Sequence, residues 1–305
     1  MSYSAAEKPI ERQSLPLTLH VYRALLMAAT PLAGILLSHR LRRGKEDPRR
    51  LAERRGESTV ARPPGPLVWV HGASVGEVAA IIPLVGRIAS KDFKVLVTSG
   101  TIGSAKLCEQ RLPAGVIHQF VPWDTPRFVA RFLDHWKPDL ALFTESDLWP
   151  NTIIMSHARR IPLILVNGRL SERSFNRWRY APATIGAMLG RFDLCLAQSP
   201  AYATRYRDLG ASRIATTGNL KLDVPEPPAD RDSLQALQSA IEGRTTIAAA
   251  STHAGEEIAL IDTHRKLRNS FPQLLTLIAP RHPDRGPGIV EIATAAGLSA
   301  SLRSQ

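Results

Sequence analysis

From residue 67 onward, short apolar runs alternate regularly with amphipathic stretches of helical period. Such alternation is typical of βα units, whose strands pair in parallel while helices cover both faces of the sheet. We therefore predict an α/β fold with a doubly wound parallel sheet. The predicted strands of this part are Leu67–His71, Lys94–Thr98, Ile117–Phe120, Leu140–Phe143, Leu163–Val166, Leu194–Ala197 and Ile214–Thr216.

The pattern restarts after a Pro-rich, acidic linker at residues 223–232. Strands are predicted at Thr246–Ala250 and Gln273–Ile278, and a further strand is predicted to begin within Leu298–Arg303. Because a doubly wound half usually needs more strands than these, we expect the second domain to be incomplete. The predicted organisation is a membrane-associating segment with a basic block (1–60), a first Rossmann-like domain (61–222), the linker (223–232) and a partial second domain (233–305).

The composition indicates a globular protein of a reducing compartment. Of the 305 residues 44% are hydrophobic, which is too many for a disordered chain. The two cysteines, Cys108 and Cys195, are far apart and have no neighbouring His or Cys. They therefore predict neither a metal site nor a disulfide framework, and we expect no metal and no cofactor.

The charge favours an anionic partner. The formal net charge is +12, which suits nucleic acid, an acidic membrane surface or a phosphorylated substrate. A basic block, His39–Arg55, follows an apolar segment, Leu15–Leu37. That segment has about the length of a bilayer span but contains Pro, His and Arg, so an interfacial helix fits at least as well. A buried core helix and a signal peptide are the alternatives, and we favour association with the cytoplasmic face of a membrane.

Polar side chains follow the predicted strands at the edge where open α/β sheets bind ligands. After the first strand, the motif HGASVGE places Glu77 in the first turn of a helix, where a P-loop would have its lysine. Glu77 is thus a candidate for proton chemistry. The alternative is a capping box in which Ser74 is the N-cap and Glu77 reaches back to the cap amide.

Three further loops of the first domain carry candidate groups. In TESDLWPN, the carboxylates Glu145 and Asp147 could form a like-charge pair that raises one pKa, or Asp147 could cap a helix. Four arginines interleave with aromatic residues in Asn167–Tyr180, which suits either phosphate or nucleic acid but also describes a solvated helix face. Lys221, in GNLKLD, is a candidate charge stabiliser or an ordinary surface lysine.

In the second domain, two strand-end loops suit an anion. The loop Ser251–Glu257 has small polar residues and opens a helix, whose N-terminus favours negative charge. The loop Ala279–Arg285 follows the next strand and places Arg281 where it could meet a phosphate.

Together these segments resemble the family of Kdo transferases, which transfer 3-deoxy-D-manno-octulosonic acid (Kdo) from CMP-Kdo to a lipid A precursor. The resemblance runs in the family's order from about residue 40 to residue 305. It implies a GT-B architecture, with two Rossmann-like domains facing a cleft. The motifs that carry it are HGASVGE, TSGTIGSAK, FVPWDTP, TESDLWPN, LVNGRLSERS, GNLKLD, STHAGEE and APRHPDR.

The resemblance also implies roles for single residues. Glu77 would be the general base of an inverting transfer, and Asp147, where the family commonly has Glu, would stabilise the transition state with Lys221; Glu145 could share that role. The predicted CMP-sugar-binding residues are Ser251, Pro280 and Arg281. The predicted acceptor-binding residues are Ser74, Arg169 and Arg173.

The partners expected from the resemblance are CMP-Kdo, an anionic phosphorylated glycolipid like lipid IVA, and the cytoplasmic side of the cell inner membrane. No nucleic-acid partner is expected. Two alternatives stay open at this point. The chain could be a catalytically incompetent, truncated acceptor-domain protein, or a basic nucleic-acid-binding protein that would bind oligonucleotides in a salt-dependent way.

Overall fold

The computed structural model of the protein describes residues 14–145, 147–224 and 229–303. The chain divides after residue 225 into two compact units. Each unit contains a sheet of parallel strands with helices around it. The apolar segment and the basic block belong to the first unit.

Two helices, α1 (Leu17–Ala29) and α2 (Ala33–Arg42), begin the described chain and are joined by a 3₁₀ turn that contains Pro31. One side of this helical segment is held by the first unit, because Leu19 and Leu37 are buried. The opposite side leaves large apolar side chains in solvent, and this exposed apolar face consists of Leu17, Val21, Leu25, Met27, Leu32, Ile35 and Leu36. Helix α1 is therefore apolar on the side that the protein does not cover.

The first unit is built on a seven-stranded sheet with the order β3-β2-β1-β4-β5-β6-β7, and every paired strand is parallel. Each predicted strand of this unit is present. The strands are β1 (Leu67–Gly72), β2 (Lys94–Ser99), β3 (Ile117–Phe120), β4 (Leu140–Thr144), β5 (Leu163–Gly168), β6 (Leu194–Ala197) and β7 (Ile214–Thr216).

Hydrophobic burial on both faces of the sheet explains why its central strands are largely apolar. Along β1, Trp69 lies in a core cluster with Phe132 and Phe143, while Val68 and Val70 lie in a second cluster on the other face. Successive strand residues point to opposite faces, so a strand covered by helices on both sides needs apolar residues at every position.

Small hydroxyl residues mark the passage from strand to helix. The side chains of Ser74, Thr101, Thr125, Ser171 and Ser199 each accept a hydrogen bond from a backbone N–H in the first turn of the next helix. This local chemistry starts helices at the carboxyl edge of the sheet. The helices of the first unit are α3 (Val75–Ala89), α4 (Ile102–Arg111), α5 (Pro126–Trp136), α6 (Pro150–Ala158), α7 (Glu172–Trp178), α8 (Pro182–Leu189) and α9 (Pro200–Asp208).

Part of the basic block is folded onto the sheet edge. The Arg54 side chain is 3% exposed; its Nε donates to Glu46 at 2.8 Å and its Nη2 to the Gly100 carbonyl at 2.7 Å. Arg50 pairs with Glu53. The guanidinium groups of Arg50 and Arg54 both lie over the Phe120 ring. These arginines anchor the block, so only its exposed members are available to a partner.

A buried carboxylate begins helix α6 from a distant part of the chain. Asp124 is 7% exposed and accepts hydrogen bonds from the backbone N–H groups of Asn151 and Thr152 and from the hydroxyl groups of Thr152 and Tyr22. It satisfies first-turn amides that the residue preceding the helix, Trp149, does not cap. Tyr22 lies on α1, so Asp124 also ties α1 to α6.

We expect Asp124→Ala to lower the free energy of unfolding by about 3 kcal/mol, because buried donors lose their acceptor. Chemical denaturation measures this change. Asp134→Ala is the matched control, since Asp134 is 64% exposed in its pair with Arg159 and such pairs contribute about 0–1 kcal/mol. Equal losses of unfolding free energy in the two variants would contradict the role of Asp124 as the cap of α6.

The second unit contains β8 (Thr246–Thr252) and β9 (Leu275–Pro280), paired in parallel. Its helices are α10 (Arg231–Ile241), α11 (Glu256–Leu267) and α12 (Gly286–Ala295). The strand predicted to begin within Leu298–Arg303 is wrong for the residues described, because 298–303 follow α12 as irregular backbone. Residues 298–303 are exposed or only partly buried, so the burial of apolar side chains does little to favour a strand there.

Candidate active site

The sheet of the first unit reverses its winding between β1 and β4. The neighbours β1 and β4 are hydrogen-bonded, and the chain moves outward from them in opposite directions, to β2 and β3 on one side and to β5 and β6 on the other. In open α/β sheets, ligands bind beyond the carboxyl ends of the strands at such a switch point. The loops that follow β1 and β4 carry Glu77 and Glu145 to this edge.

Glu77 is half-buried at the start of α3, with its carboxylate held by several donors. Oε2 accepts from the backbone N–H of Ala73 at 3.0 Å, and Oε1 accepts from the Ser74 hydroxyl at 2.8 Å. The Thr144 hydroxyl, at the end of β4, lies 3.0 Å from Oε2 and 2.8 Å from the His71 carbonyl, so its one proton is shared between these two acceptors. These donors hold the carboxylate in one orientation.

The capping alternative is partly confirmed. Ser74 is the N-cap of α3 and accepts from the N–H of Glu77 at 3.3 Å. However, the Glu77 carboxylate bonds to the N–H of Ala73 instead of the cap amide, and it also contacts Thr144 on the neighbouring strand. Glu77 therefore links two strand ends at the switch point, which a local cap does not require.

A close backbone contact braces the loop that carries Glu77. The N–H of Gly100 donates to the carbonyl of Ala73 at 3.0 Å, and a Cβ on Gly100 would lie 2.6 Å from that oxygen. Only glycine allows this approach, which explains the glycine of the TSG sequence after β2. Since Ala73 in turn donates to Glu77, the loop after β2 helps to place the carboxylate.

The structure brings Lys221 to Glu145. Lys221 Nζ lies 2.7 Å from Glu145 Oε1, and the two side chains are 41% and 15% exposed. Glu145 has a φ of 55°, and its carbonyl accepts from the buried Tyr206 hydroxyl at 3.0 Å. Asn167 accepts from the N–H of Leu220 at 3.0 Å and so holds the turn that carries Lys221. A cation and a carboxylate thus stand together at the end of β4.

Asp147 has a different partner. Its Oδ2 lies 2.8 Å from Nε2 of His71, which is fully buried in β1. Burial by itself would raise the pKa of Asp147, but the hydrogen bonds with His71 and Trp149 outweigh it, and the pKa lies below its ordinary value.

The expected like-charge pair of Glu145 and Asp147 is therefore wrong. The left-handed backbone at Glu145 breaks the extended geometry on which that expectation depended. Each carboxylate has its own cationic or hydrogen-bonding partner, and the pKa of Asp147 moves down instead of up. Asp147 does not cap α6 either, because Asp124 takes the first-turn amides.

The Arg-rich stretch after β5 is only partly available to a ligand. Arg169 and Arg173 are exposed, in the loop after β5 and in the first turn of α7. The aromatic residues between the arginines are mostly not free to stack on bases, because Phe175 and Trp178 pack against the core. Tyr180 is the exception, at 91% exposed.

In the second unit the two predicted loops meet at the ends of their strands. The N–H of Arg281 donates to the carbonyl of Thr252 at 3.0 Å, which places Ser251 and Pro280 at neighbouring strand ends. The Ser251 and Arg281 side chains are exposed there. Arg285 is committed to the buried Glu257 by a two-pronged ion pair, so it is less available to an anion.

Sequence reasoning missed His71 and Thr144. Both are polar residues inside otherwise apolar strands that are buried on both faces, and a buried polar group must find a hydrogen-bond partner. A polar residue within an apolar, buried strand was therefore the sequence feature that could have pointed to them. Among the residues described, there is no group of three or more His, Cys, Asp or Glu that could hold a metal ion.

Comparison with known proteins identifies the sequence family. The family model of 3-deoxy-D-manno-octulosonic-acid transferases (kdotransferase) matches residues 49–224. The 3-deoxy-D-manno-octulosonic acid transferase of Rickettsia bellii is 34% identical over 290 residues, which cover 94% of this chain and 69% of the relative. That of Rickettsia felis is 35% identical over 241 residues, covering 78% and 52%. That of Haemophilus influenzae is 33% identical over 273 residues, covering 87% and 63%. The chain thus spans about half to two thirds of the length of these relatives.

Solved structures show the same fold at low sequence identity. A UDP-GlcNAc 2-epimerase from Neisseria meningitidis, bound to UDP-GlcNAc, is 12% identical with a TM-score of 0.53, over 76% of this chain and 70% of that chain. A glycosyltransferase from Rickettsia africae is 10% identical with a TM-score of 0.52, over 77% and 66%. These likenesses concern the fold alone, and they confirm the predicted α/β class of GT-B type.

Proposed function

The chain belongs to the family of 3-deoxy-D-manno-octulosonic acid transferases, and on this premise we propose that it takes part in moving Kdo from CMP-Kdo to an anionic, phosphorylated glycolipid of the lipid IVA type. The observation that carries the proposal is the Glu77 carboxylate, half-buried at the switch point and oriented by Ala73, Ser74 and Thr144. The net charge of +12 suits both the acceptor and a membrane that contains anionic lipid.

In the proposed reaction, Glu77 is the general base that removes a proton from the acceptor hydroxyl as its oxygen attacks the anomeric carbon of Kdo. CMP leaves from the opposite face of the sugar, so the configuration inverts. A base serves this step only if it is ionised and directed at the hydroxyl. The donors around Glu77 direct its carboxylate, and the partial exposure of the residue leaves it open to a substrate.

Lys221 is proposed to stabilise the charge that develops as CMP departs. Its ammonium group is held by Glu145, which keeps it at the same edge of the sheet as Glu77. Preorganised charge of this kind is usually a large term in catalysis. Asp147 is proposed to stabilise the transition state together with Lys221, and Glu145 shares that role by holding Lys221 in place.

The two substrates are assigned to different units. The donor residues proposed are Ser251, Pro280 and Arg281, whose strand-end loops suit the phosphate of CMP. On the acceptor side, the exposed Arg169 and Arg173 are proposed to bind phosphate. The Ser74 hydroxyl is already bonded to Glu77, so any contact of Ser74 with the acceptor would add to its orienting role.

Membrane attachment is proposed through the exposed apolar face of α1 and α2, at the cytoplasmic side of the inner membrane. The helical segment is long and apolar enough to cross a bilayer. It is nevertheless held along the first unit by buried Leu19 and Leu37 and by the bond from Tyr22 to Asp124. Because a spanning helix would have to lose these contacts, we propose that it lies in the interface with its apolar face in the lipid.

Neutralising the exposed arginines Arg42, Arg43 and Arg49 to Gln is expected to weaken binding to vesicles that contain anionic lipid, by about 1 kcal/mol per residue. The loss shrinks at high salt, because salt screens exposed charges. Vesicle sedimentation measures it. The control changes the charge equally at Lys106, Arg207 and Arg213, exposed elsewhere in the first unit. Binding that resists both neutralisation and salt would favour a spanning anchor instead.

Incubation with CMP-Kdo and lipid IVA, followed by mass spectrometry of the lipid, tests the proposed function. One arm uses the 305-residue chain, and the other uses it extended with the remaining C-terminal region of the Haemophilus influenzae relative. A Kdo adduct in either arm supports the proposal. If the protein consumed another nucleotide sugar but no CMP-Kdo, CMP-Kdo would be refuted as the donor. If neither arm transferred a sugar, the proposed transferase activity would be refuted.

A further inference from the structure

We propose that His71 is a positioning residue that holds the carboxylate of Asp147 at the switch point, in a tautomer fixed by Trp69 and Thr98. The expected effect on turnover rests on the proposed transfer reaction, whereas the tautomer and the hydrogen bond do not. His71 belongs to β1 and has no direct path to a substrate, since it is fully buried. It acts, in this proposal, through Asp147.

The four residues form one continuous chain of hydrogen bonds. The indole N–H of Trp69 donates to Thr98 Oγ1 at 2.8 Å, and the same oxygen lies 2.8 Å from Nδ1 of His71. On the other side of the ring, Nε2 lies 2.8 Å from Asp147 Oδ2. The register of the sheet produces this chain, because His71 pairs with Thr98 across β1 and β2 and Trp69 lies two residues before His71 on the same face.

The chemistry of the donors determines which atom donates in each of these hydrogen bonds. An indole nitrogen can only donate, so Thr98 Oγ1 accepts from Trp69 and has its own proton to give. Donation of that proton to Nδ1 leaves the imidazole proton on Nε2, where it points at Asp147. The opposite neutral tautomer would place the lone pair of Nε2 against a carboxylate oxygen at 2.8 Å, which is repulsive.

Packing keeps the ring in place. The exposures of Trp69, His71 and Thr98 are 1%, 0% and 0%, and the rings of Phe143 and His71 meet edge to face with centroids 5.9 Å apart. A ring so enclosed cannot turn without moving the strand around it. The bond therefore fixes one oxygen of Asp147, whose side chain is 21% exposed.

Two pairs of variants test the proposal in the protein extended to the length of its relatives. His71→Leu removes the donor to Asp147, and His71→Gln replaces it with an amide N–H that can reach a similar position. We expect His71→Leu to lower kcat by about 10- to 100-fold with KM changed by less than about twofold, and His71→Gln to recover most of the loss. A misplaced catalytic group has this signature, whereas a packing defect would not be rescued by the polar Gln.

Thr98→Val and Thr98→Ser form the second pair. They test the positioning role of His71 even if the His71 variants fail to fold. Thr98→Val keeps the shape but removes the proton given to Nδ1, whereas Thr98→Ser keeps it. Nitrogen-15 NMR of the histidine ring, recorded without substrate, is expected to show Nε2–H in the wild type and in Thr98→Ser. We expect a changed ring state in Thr98→Val, with a lower kcat.

The outcomes separate this inference from the proposed function. An Nδ1–H tautomer in the wild type, or full kcat in a folded His71→Leu or in Thr98→Val, would overturn the positioning role. If the wild type transfers no Kdo but the ring state responds to Thr98 as described, the hydrogen-bond assignment holds while the proposed reaction fails.

Discussion

Glu77→Gln is expected to lower the rate of Kdo transfer by about 10²- to 10⁴-fold while the protein stays folded. Glutamine keeps an oxygen that can accept from Ala73 or Ser74, so the start of α3 keeps most of its hydrogen bonds. What is lost is the group that takes the acceptor's proton. The measurement is the initial rate of Kdo transfer at saturating substrate, with thermal unfolding recorded on the same preparations.

A matched control separates catalysis from helix capping. Ser199 caps α9 at the same edge of the sheet and accepts from the N–H of Tyr202 at 3.3 Å. Ser199→Ala removes that cap, at a cost of about 1 kcal/mol of stability, and is expected to leave the transfer rate nearly unchanged. If Glu77→Gln turned over as fast as Ser199→Ala, Glu77 would be a capping residue and no more.

Lys221→Met is the second substitution with a large expected effect, a fall in kcat of about 10²- to 10³-fold. Methionine keeps much of the length of lysine but removes the charge that we assign to the departing CMP. The loss also leaves Glu145 without its ion-pair partner, which places an uncompensated negative charge beside the reaction. Single-turnover transfer with CMP-Kdo in excess measures the step itself.

Lys221→Arg and Lys91→Met complete the comparison. Arginine keeps the charge but presents it as a planar fork, so we expect an intermediate rate. Lys91 is an exposed lysine of the first unit, and its replacement is expected to have no effect on transfer. A Lys221→Met variant with wild-type kcat would show that the pair with Glu145 is an ordinary surface ion pair.

The sheet could be predicted from the sequence because its physical cause is local. Strands such as β1, β2 and β5 contain short apolar runs followed by small polar residues, and burial on both faces leaves little room for another pattern. The serine and threonine residues that begin helices were visible in the same way, as with Ser74. The wrongly predicted strand within Leu298–Arg303 has some apolar residues, but residues 298–303 bury little of their surface.

The partners within the site could not be predicted, because they depend on backbone geometry that spacing does not report. The left-handed turn at Glu145 sends it to Lys221, whereas an extended chain would have grouped it with Asp147. The bond between His71 and Asp147 joins residues 76 positions apart through the register of β1 and β4. Likewise, nothing in the basic block distinguished the buried Arg54 from its exposed neighbours.

The exposed apolar face and the candidate site belong to the same unit. We therefore propose that this unit both captures the acceptor and removes its proton. Asp124 connects them physically, since it accepts from Tyr22 on α1 and from the first turn of α6, which follows the loop of Asp147. A lipid-bound acceptor is the kind of substrate for which such proximity is useful.

The role of Glu77 as general base requires its carboxylate to lie next to the acceptor hydroxyl. A crystal structure of the protein, extended to the length of its relatives and bound to lipid IVA, measures this distance. We predict that a Glu77 carboxylate oxygen lies within about 2.6–3.2 Å of the acceptor hydroxyl. An acceptor bound with that hydroxyl out of reach, and Glu77 still occupied only by Ala73, Ser74 and Thr144, would contradict the account.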